Sequence, residues 1–283
     1  MPKLHFAIDA NEANVHNRVG SNVYAYEIIK QLALVIDEES QVEATVLLAQ
    51  PPQPDLPPET RAWQYRVIGP QKFWTQLAAP WHLYTHQYDY DVFFTPGHYA
   101  PRYCSVPYVS SIMDLGFLHF PDQFQPKDLI QLSKWTQYSV KNANKIIAIS
   151  DFTKNEAIKQ YHLDPDDVVV AHPSVSFPEN SATKAELVKY LIKHNIRQPY
   201  FLYLGTLQPR KNLIGLIKAY ELFCSQQSSK KMAQLPQLVI GGKIGWMAEP
   251  IIEAIDQSPA KGNIILTDYI PNKYKPQLYQ AAL

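Results

Sequence analysis

A two-domain α/β fold built on parallel sheets is predicted by three features of the sequence. Its 283 residues exceed the usual size of a single domain. Short apolar runs rich in β-branched and aromatic residues alternate with segments of helical spacing. That alternation pauses once, in a stretch rich in Pro, Ser and Asn, and then resumes.

The runs LHFAID (4–9), EATVLLA (43–49), DVFFTP (91–96), VPYVSSI (106–112), KIIAIS (145–150) and DVVVAHP (167–173) read as strands buried on both faces. After the first run, SNVYAYEIIKQLALV predicts a helix whose apolar face carries Val23, Tyr26, Ile28, Ile29, Leu32 and Ala33. QPPQPDLPPE (50–59) predicts a surface loop, since proline removes backbone donors. DLIQLSKWTQYSVKNA predicts a second long helix, and Thr153 followed by Glu156 predicts a capping box for a helix running to about Tyr161. The pause near 176–183 predicts the linker, giving domains 1–178 and 179–283. The second series holds helices near 183–194, 212–224 and 249–256 and strands YFLYLGT, QLVIGG and NIILTDY. A doubly wound domain usually has five or six strands, so the three here predict a partial second domain.

Lys plus Arg equals Asp plus Glu at 26 each. No global field favours a polyanion, so nucleic acid is not an expected partner and any anion site must be built locally. Cys104 and Cys224 match no zinc or redox spacing and read as reduced thiols. The opening MPKLHFAIDANEANV turns polar too early for a signal peptide, and no apolar stretch approaches the roughly 20 residues of a membrane span. A soluble, cytoplasmic protein is expected.

The strongest local anion site is FLYLGTLQPRKN (201–212). In an open parallel sheet, ligands bind beyond the carboxyl ends of strands. Gly205 and Thr206 permit a sharp turn there, Pro209 stiffens the loop, and Asn212 suits the cap of a helix with Leu213, Leu216, Ile217, Tyr220 and Phe223 on one face. Arg210 adds a bidentate fork and Lys211 a compact charge beside the positive end of that helix. A diphosphate fits such a site. An exposed, solvated pair is the alternative reading of any Arg-Lys dipeptide.

The same stretch resembles the signature that opens the second domain of retaining glycosyltransferases of family 4, which have the GT-B fold of two Rossmann-like domains. The resemblance extends through LHFAIDANEANVHNRVGSNVYAYEIIKQL, VPYVSSIMDLGFLHFPDQF, KIIAISDFTKNEAI with its Ser-capped helix, VVVAHPSVS, GGKIGWMAEPIIEAI and TDYIPNKYKPQLYQAA, essentially the whole chain. It implies metal-independent transfer of a sugar from a UDP- or GDP-sugar to a hydroxyl of a glycan or lipid-linked acceptor, with no cofactor. It assigns Arg210 and Lys211 to the donor diphosphate, with Gly205, Thr206, Gly241, Gly242 and Lys243 flanking the donor. In the first domain it places Gly20 where backbone approaches the ligands and Asp114 at the sugar end. No catalytic base is assigned. Where many members carry His-Asp this chain has Met113-Asp114, and the Glu-rich donor loop of the family lies beyond the YQAA helix. Both departures keep open a truncated or non-catalytic homologue that binds acceptor or a partner. The acceptor face is expected in NEANVHNRVG and in FWTQLAAPWHLYTHQY (73–88), where packing at helical spacing is the alternative.

Other chemistries find less support. Asp89-Tyr90-Asp91 imitates a metal-holding Asp-x-Asp but precedes its strand instead of following it. GGKIGW lacks the spacing of a P-loop, and no G-x-G-x-x-G follows the first strand, which argues against a nucleotide-using epimerase. The nine histidines show no metal-ligand pairing, His82 and His86 lacking a third ligand nearby. Ser150 lies in no nucleophile elbow and reads as a helix start.

Overall fold

The computed structural model describes residues 3–97, 99–174, 181–227 and 231–283. The chain divides into two compact units, Met1–Ser174 and Val175–Leu283. Most of the expected linker, residues 176–180, lies outside the described residues, as does His98.

Among its described residues the first unit holds seven strands, β1 (Leu4–Asp9), β2 (Val42–Leu48), β3 (Trp63–Val67), β4 (Val92–Thr95), β5 (Tyr108–Ile112), β6 (Lys145–Ala148) and β7 (Val168–Val170). All neighbours are parallel, in the order β3-β2-β1-β4-β5-β6-β7. The order reverses between β1 and β4, the position at which open α/β sheets leave a crevice. Among the described residues, five α-helices connect the strands, α1 (Ser21–Glu38), α2 (Ala79–Thr85), α3 (Gly116–His119), α4 (Pro126–Asn142) and α5 (Asp151–Tyr161). Because strand side chains alternate, Ile8, Val46 and Phe94 pack with α1 on one face, while Ala7, Leu47 and Phe93 pack with α2 on the other.

Three details depart from expectation. Of the predicted face of α1, Ile29 and Ala33 are buried and Tyr26, Ile28 and Leu32 pack partly against the core, but Val23 is exposed, and Tyr24, Ala25 and Ile36 are buried as well. Apolar residues stand on several rows of the helix, the exposed Leu34 and Val35 among them, so the sheet selects the rows whose alanines permit close approach. β3 was not legible as a strand, since of WQYRV only Trp63 is fully buried at this sheet edge. The predicted capping box at Thr153 is also corrected. Helix α5 begins three residues earlier, and the Ser150 hydroxyl accepts from the Thr153 N–H at 3.1 Å, as expected of a Ser-capped helix. Glu156 instead meets His119 Nε2 at 2.5 Å.

The second unit contains α6 (Lys184–Lys193), β8 (Tyr200–Leu204), α7 (Leu213–Gln226), β9 (Gln237–Gly241), α8 (Glu249–Gln257), β10 (Ile264–Leu266) and α9 (Lys275–Gln280). Its parallel sheet runs β10-β9-β8. Leu213, Ile217 and Tyr220 of α7 pack with Leu238, Ile240 and Ile251 on one face, and Tyr200, Val239, Ile270 and Leu278 form the other. A full capping box, Thr183 with Glu186, starts α6, and Lys273 Nζ holds Glu186 at 3.1 Å. Among the described residues, no helix is long and apolar enough to cross a membrane.

Candidate functional site

The residues predicted around the donor converge at the carboxyl edge of the small sheet. Past β8 and β9 the two chains stay zipped together: Gly205 N–H donates to Gly241 O, Leu207 N–H to Lys243 O and Gly245 N–H back to Leu207 O, each at 2.9 Å. Glycine is required for this approach. A Cβ on Gly242, whose φ is +144°, would stand 1.9 Å from the Gly205 carbonyl oxygen. Gly205, Thr206, Gly241, Gly242 and Lys243 therefore form one backbone-walled ledge.

Arg210 and Lys211 lie in a separate 3-10 turn, Pro209–Lys211, ahead of α7. Asn212 breaks the chain between turn and helix with φ +51°, and its side chain accepts from the Gly215 N–H at 3.3 Å, the cap expected of it. The helix start thus already has one N–H satisfied, and the cations stand on the turn instead of the helix. Both are exposed. Burial raises the Tyr203 phenol pKa, a rise that the Arg210 charge opposes. Gln208 is buried beside them with its Oε1 lacking a hydrogen-bond partner among the described residues.

The sequence reading missed two residues of this edge, Lys275 and Tyr269. Lys275, at the start of α9, and the predicted Lys243 both lie over the Tyr269 ring, at 5.8 and 5.4 Å from its centroid. Half-burial lowers the Lys275 pKa. The available signal was the position of TDYIPNKYK directly after a strand.

In the first unit, Gly20 precedes α1 with φ +53°, and no atom lies within 4 Å of where its Cβ would be. Backbone conformation, not crowding, asks for glycine there. Asp114 follows β5, is exposed, and accepts from the Gly116 N–H at 2.9 Å, starting α3. Tyr24 of α1 reaches Ser111 of β5 at 3.4 Å, which places Gly20 and Asp114 on one edge of the large sheet. Met113 is buried, its carbonyl held by the Thr153 hydroxyl.

The crevice at the β1–β4 reversal holds a carboxyl that sequence reasoning overlooked. Asp9 is buried and accepts from Asn11 N–H at 3.0 Å and Asn11 Nδ2 at 2.7 Å. Burial pushes its pKa up to about 6; Asn11 opposes that rise and the Glu12 charge adds to it. Asn11 Oδ1 in turn accepts from Ala49 N–H at 2.7 Å, tying β1 to the end of β2. The Pro-rich loop also has a second role as a buttress. Arg18 grips Asp55 through its two terminal guanidinium nitrogens, at 2.5 and 2.9 Å, and stacks on Tyr26 at 3.9 Å. The Arg18 hydrogen bond lowers the Asp55 pKa.

Remaining candidates have structural employment. Asp91 Oδ2 accepts from His5 N–H at 2.7 Å, and His82, buried, meets the Tyr90 hydroxyl at 3.0 Å. Cys104 and Cys224 are free thiols. Among the described residues no three His, Cys, Asp or Glu side chains cluster as metal ligands.

Two Rossmann-like units, each built on a parallel sheet, give the GT-B architecture of glycosyltransferases. Residues 19–177, more than half of the chain, match the family model described as Glycosyltransferase Family 4, and the chain belongs to that family. It is 25% identical to the O-antigen chain mannosyltransferase B of Escherichia coli, over 97% of this chain and 74% of that protein. The fold is similar to crystal structures of Anabaena Alr3699/HepE in complex with UDP (15% identity, TM-score 0.60, 99% of this chain and 72% of that one). It is also similar to WaaG, a glycosyltransferase involved in lipopolysaccharide biosynthesis (11% identity, TM-score 0.61, 98% and 73%).

Proposed function

We propose that the chain moves a hexose from a UDP- or GDP-sugar to a hydroxyl of a glycan or lipid-linked acceptor, with retention at the anomeric carbon and without a metal ion. The observation that carries this reading is the Arg210–Lys211 turn beside the glycine-walled ledge at the end of β8 and β9. Breaking the sugar–phosphate bond leaves negative charge on a departing diphosphate. A guanidinium and an ammonium already standing at that edge, with Lys243 and Lys275 nearby, stabilise this charge in the role a divalent ion takes elsewhere.

In this reading residues 179–283 bind the donor, with Gly205, Thr206, Gly241, Gly242 and Lys243 flanking it. Residues 1–178 face the acceptor, with Gly20 offering backbone N–H groups and Asp114 marking the sugar end. The mannosyltransferase relative and the UDP complex of the structural neighbour support a hexose and a nucleoside diphosphate respectively.

Donor transfer to a mannose-terminated oligosaccharide tests the proposal, with product anomeric configuration read by NMR in the presence of EDTA. Retained configuration and undiminished turnover are expected. Absence of both transfer and binding for UDP and GDP sugars would overturn it.

A further inference from the structure

The carboxyl edges of the two sheets carry opposite charge. Past β8 and β9 and at the start of α9 stand Arg210, Lys211, Lys243 and Lys275. Past β1, β2, β4, β5 and β6, residues 10–17, 49–60, 96–101, 113–126 and 149–153 contain no Lys or Arg, whereas Glu12, Asp114 and Asp151 stand among them and Asp9 closes β1. The first cation after β1, Arg18, is engaged by Asp55 and by the Ala13 carbonyl.

On this acidic edge, Asp9 is the carboxyl that its surroundings leave incomplete. It is 8% exposed, and its hydrogen bonds from Asn11 N–H and Asn11 Nδ2 both fall on Oδ1. Oδ2 has no partner among the described residues. The neighbouring charge that acts on Asp9 is Glu12, of like sign. A strand end packed for stability alone would carry an apolar or fully bonded side chain, because a buried carboxyl oxygen without a donor is unfavourable.

Glu12 stands on the other side of the same crevice. Its Oε2 accepts from Asn22 Nδ2 at 2.6 Å and from the Ser21 hydroxyl at 3.4 Å, which ties it to the start of α1. Oε1 has no hydrogen bond among the described residues. Gly97, past β4, comes so close that an added Cβ would stand 3.4 Å from Glu12 Cγ. Two carboxyls therefore flank the β1–β4 reversal, each with one oxygen to offer.

Such oxygens recognise a hydrogen-bond donor without negative charge. Sugar hydroxyls are donors of that kind, and their bonds to an ionised carboxylate are charge-assisted. A phosphate at this edge would meet Asp9, Glu12 and Asp114 with no Lys or Arg in these loops to offset them. A metal ion fits less well, since among the described residues no three such ligands cluster.

We propose that Asp9 Oδ2 and Glu12 Oε1 form a subsite for the hydroxyls of a neutral sugar unit, on an edge that turns away sugars bearing phosphate or carboxylate. In the glycosyl-transfer reading, on which the use of this subsite rests, that unit is the end of the acceptor. The acceptor class then narrows to an uncharged glycan end, in place of a lipid phosphate.

Calorimetric titration of the full chain with mannotriose, and with mannotriose phosphorylated on its non-reducing sugar, tests this. Mannotriose should bind, and its phosphorylated form ~10-fold or more weakly. Asp9→Asn and Glu12→Gln keep the side-chain shape and remove the charge. Each should weaken mannotriose ~10-fold and shrink the difference between the two ligands, with melting temperature unreduced. UDP and GDP, titrated alone, should bind equally well to parent and variants. Absent nucleotide binding beside glycan binding that still depends on Asp9 would sink the donor reading and leave the subsite standing. No binding of mannotriose, equal affinity for its phosphorylated form, or glycan affinity indifferent to both folded variants would overturn the subsite.

Discussion

Gly242 faces the carbonyl oxygen of Gly205 so closely that a Cβ on Gly242 would stand 1.9 Å from it, on backbone with φ +144°. The atom in the way is main chain, so no rotamer relieves the clash. Gly242→Ala must part the two loops and break the Gly205–Gly241 and Leu207–Lys243 hydrogen bonds. A loss of ~3 kcal/mol or more in unfolding free energy is expected. Gly262→Ala, where no atom lies within 4 Å of the added Cβ, should stay within about 0.5 kcal/mol. Urea denaturation of the pair measures both.

The Ser150 cap gives a second stability prediction. Its hydroxyl satisfies the Thr153 N–H at 3.1 Å, so Ser150→Ala should destabilise the protein by about 1 kcal/mol. Were Glu156 the reciprocal partner of a capping box, Glu156→Ala would loosen the helix start as Ser150→Ala does. Since Glu156 meets His119 instead, Glu156→Ala should cost less than Ser150→Ala, about 0.5 kcal/mol or less, and leave the helix start intact. Thermal unfolding of the two variants separates these outcomes.

These examples show what was legible in the sequence and why. Strands buried on both faces, such as LHFAID and QLVIG, carry uninterrupted apolar runs, and helix caps such as Asn212 depend on near neighbours. Local chemistry suffices for those. β3 was hidden because an edge strand buries few side chains, and its WQYRV mixes polar with aromatic residues. The orientation of α1 was hidden because residues apolar on several rows leave the choice to the sheet. The Arg210–Lys211 loop was legible from its strand-turn-helix frame, but Lys275 and Tyr269 join that edge from 58 or more residues further along the chain, by tertiary packing alone. Asp9 likewise looked like an ordinary strand end until the strand order placed it at the β1–β4 reversal.

Asp9 predicts an unusual pH dependence. Its folded pKa, about 6, lies above the 3.8 of a free aspartate because burial penalises the charge. A raised pKa means that the folded state holds the proton more tightly than the unfolded state. The associated stability is fully present below about pH 4 and is lost as pH rises through 6, a difference of ~3 kcal/mol. Asp9→Asn removes this titration. The stability of Asp9→Asn relative to the parent should therefore climb between pH 4 and 6 and flatten above about 7. A flat difference across that range, measured by urea titration, would show that Asp9 does not titrate in this way.

Arg210 offers the sharpest test of the diphosphate assignment, because it distinguishes a fork aimed at two phosphates from general positive charge. Arg210→Ala removes charged hydrogen bonds and should weaken UDP or GDP binding by about 1.5–3 kcal/mol, or roughly 10- to 100-fold. Arg210→Lys keeps the charge and loses the planar fork, so it should recover only part of that loss. Nucleoside monophosphates, which present one phosphate, should lose less affinity in either variant, and the uncharged nucleoside almost none. Since Arg210 is exposed, melting temperature should hardly move, so an affinity change cannot be ascribed to unfolding. Equal weakening of nucleoside and diphosphate by calorimetry would place Arg210 against the base or ribose, and unchanged diphosphate affinity would return the pair to solvent.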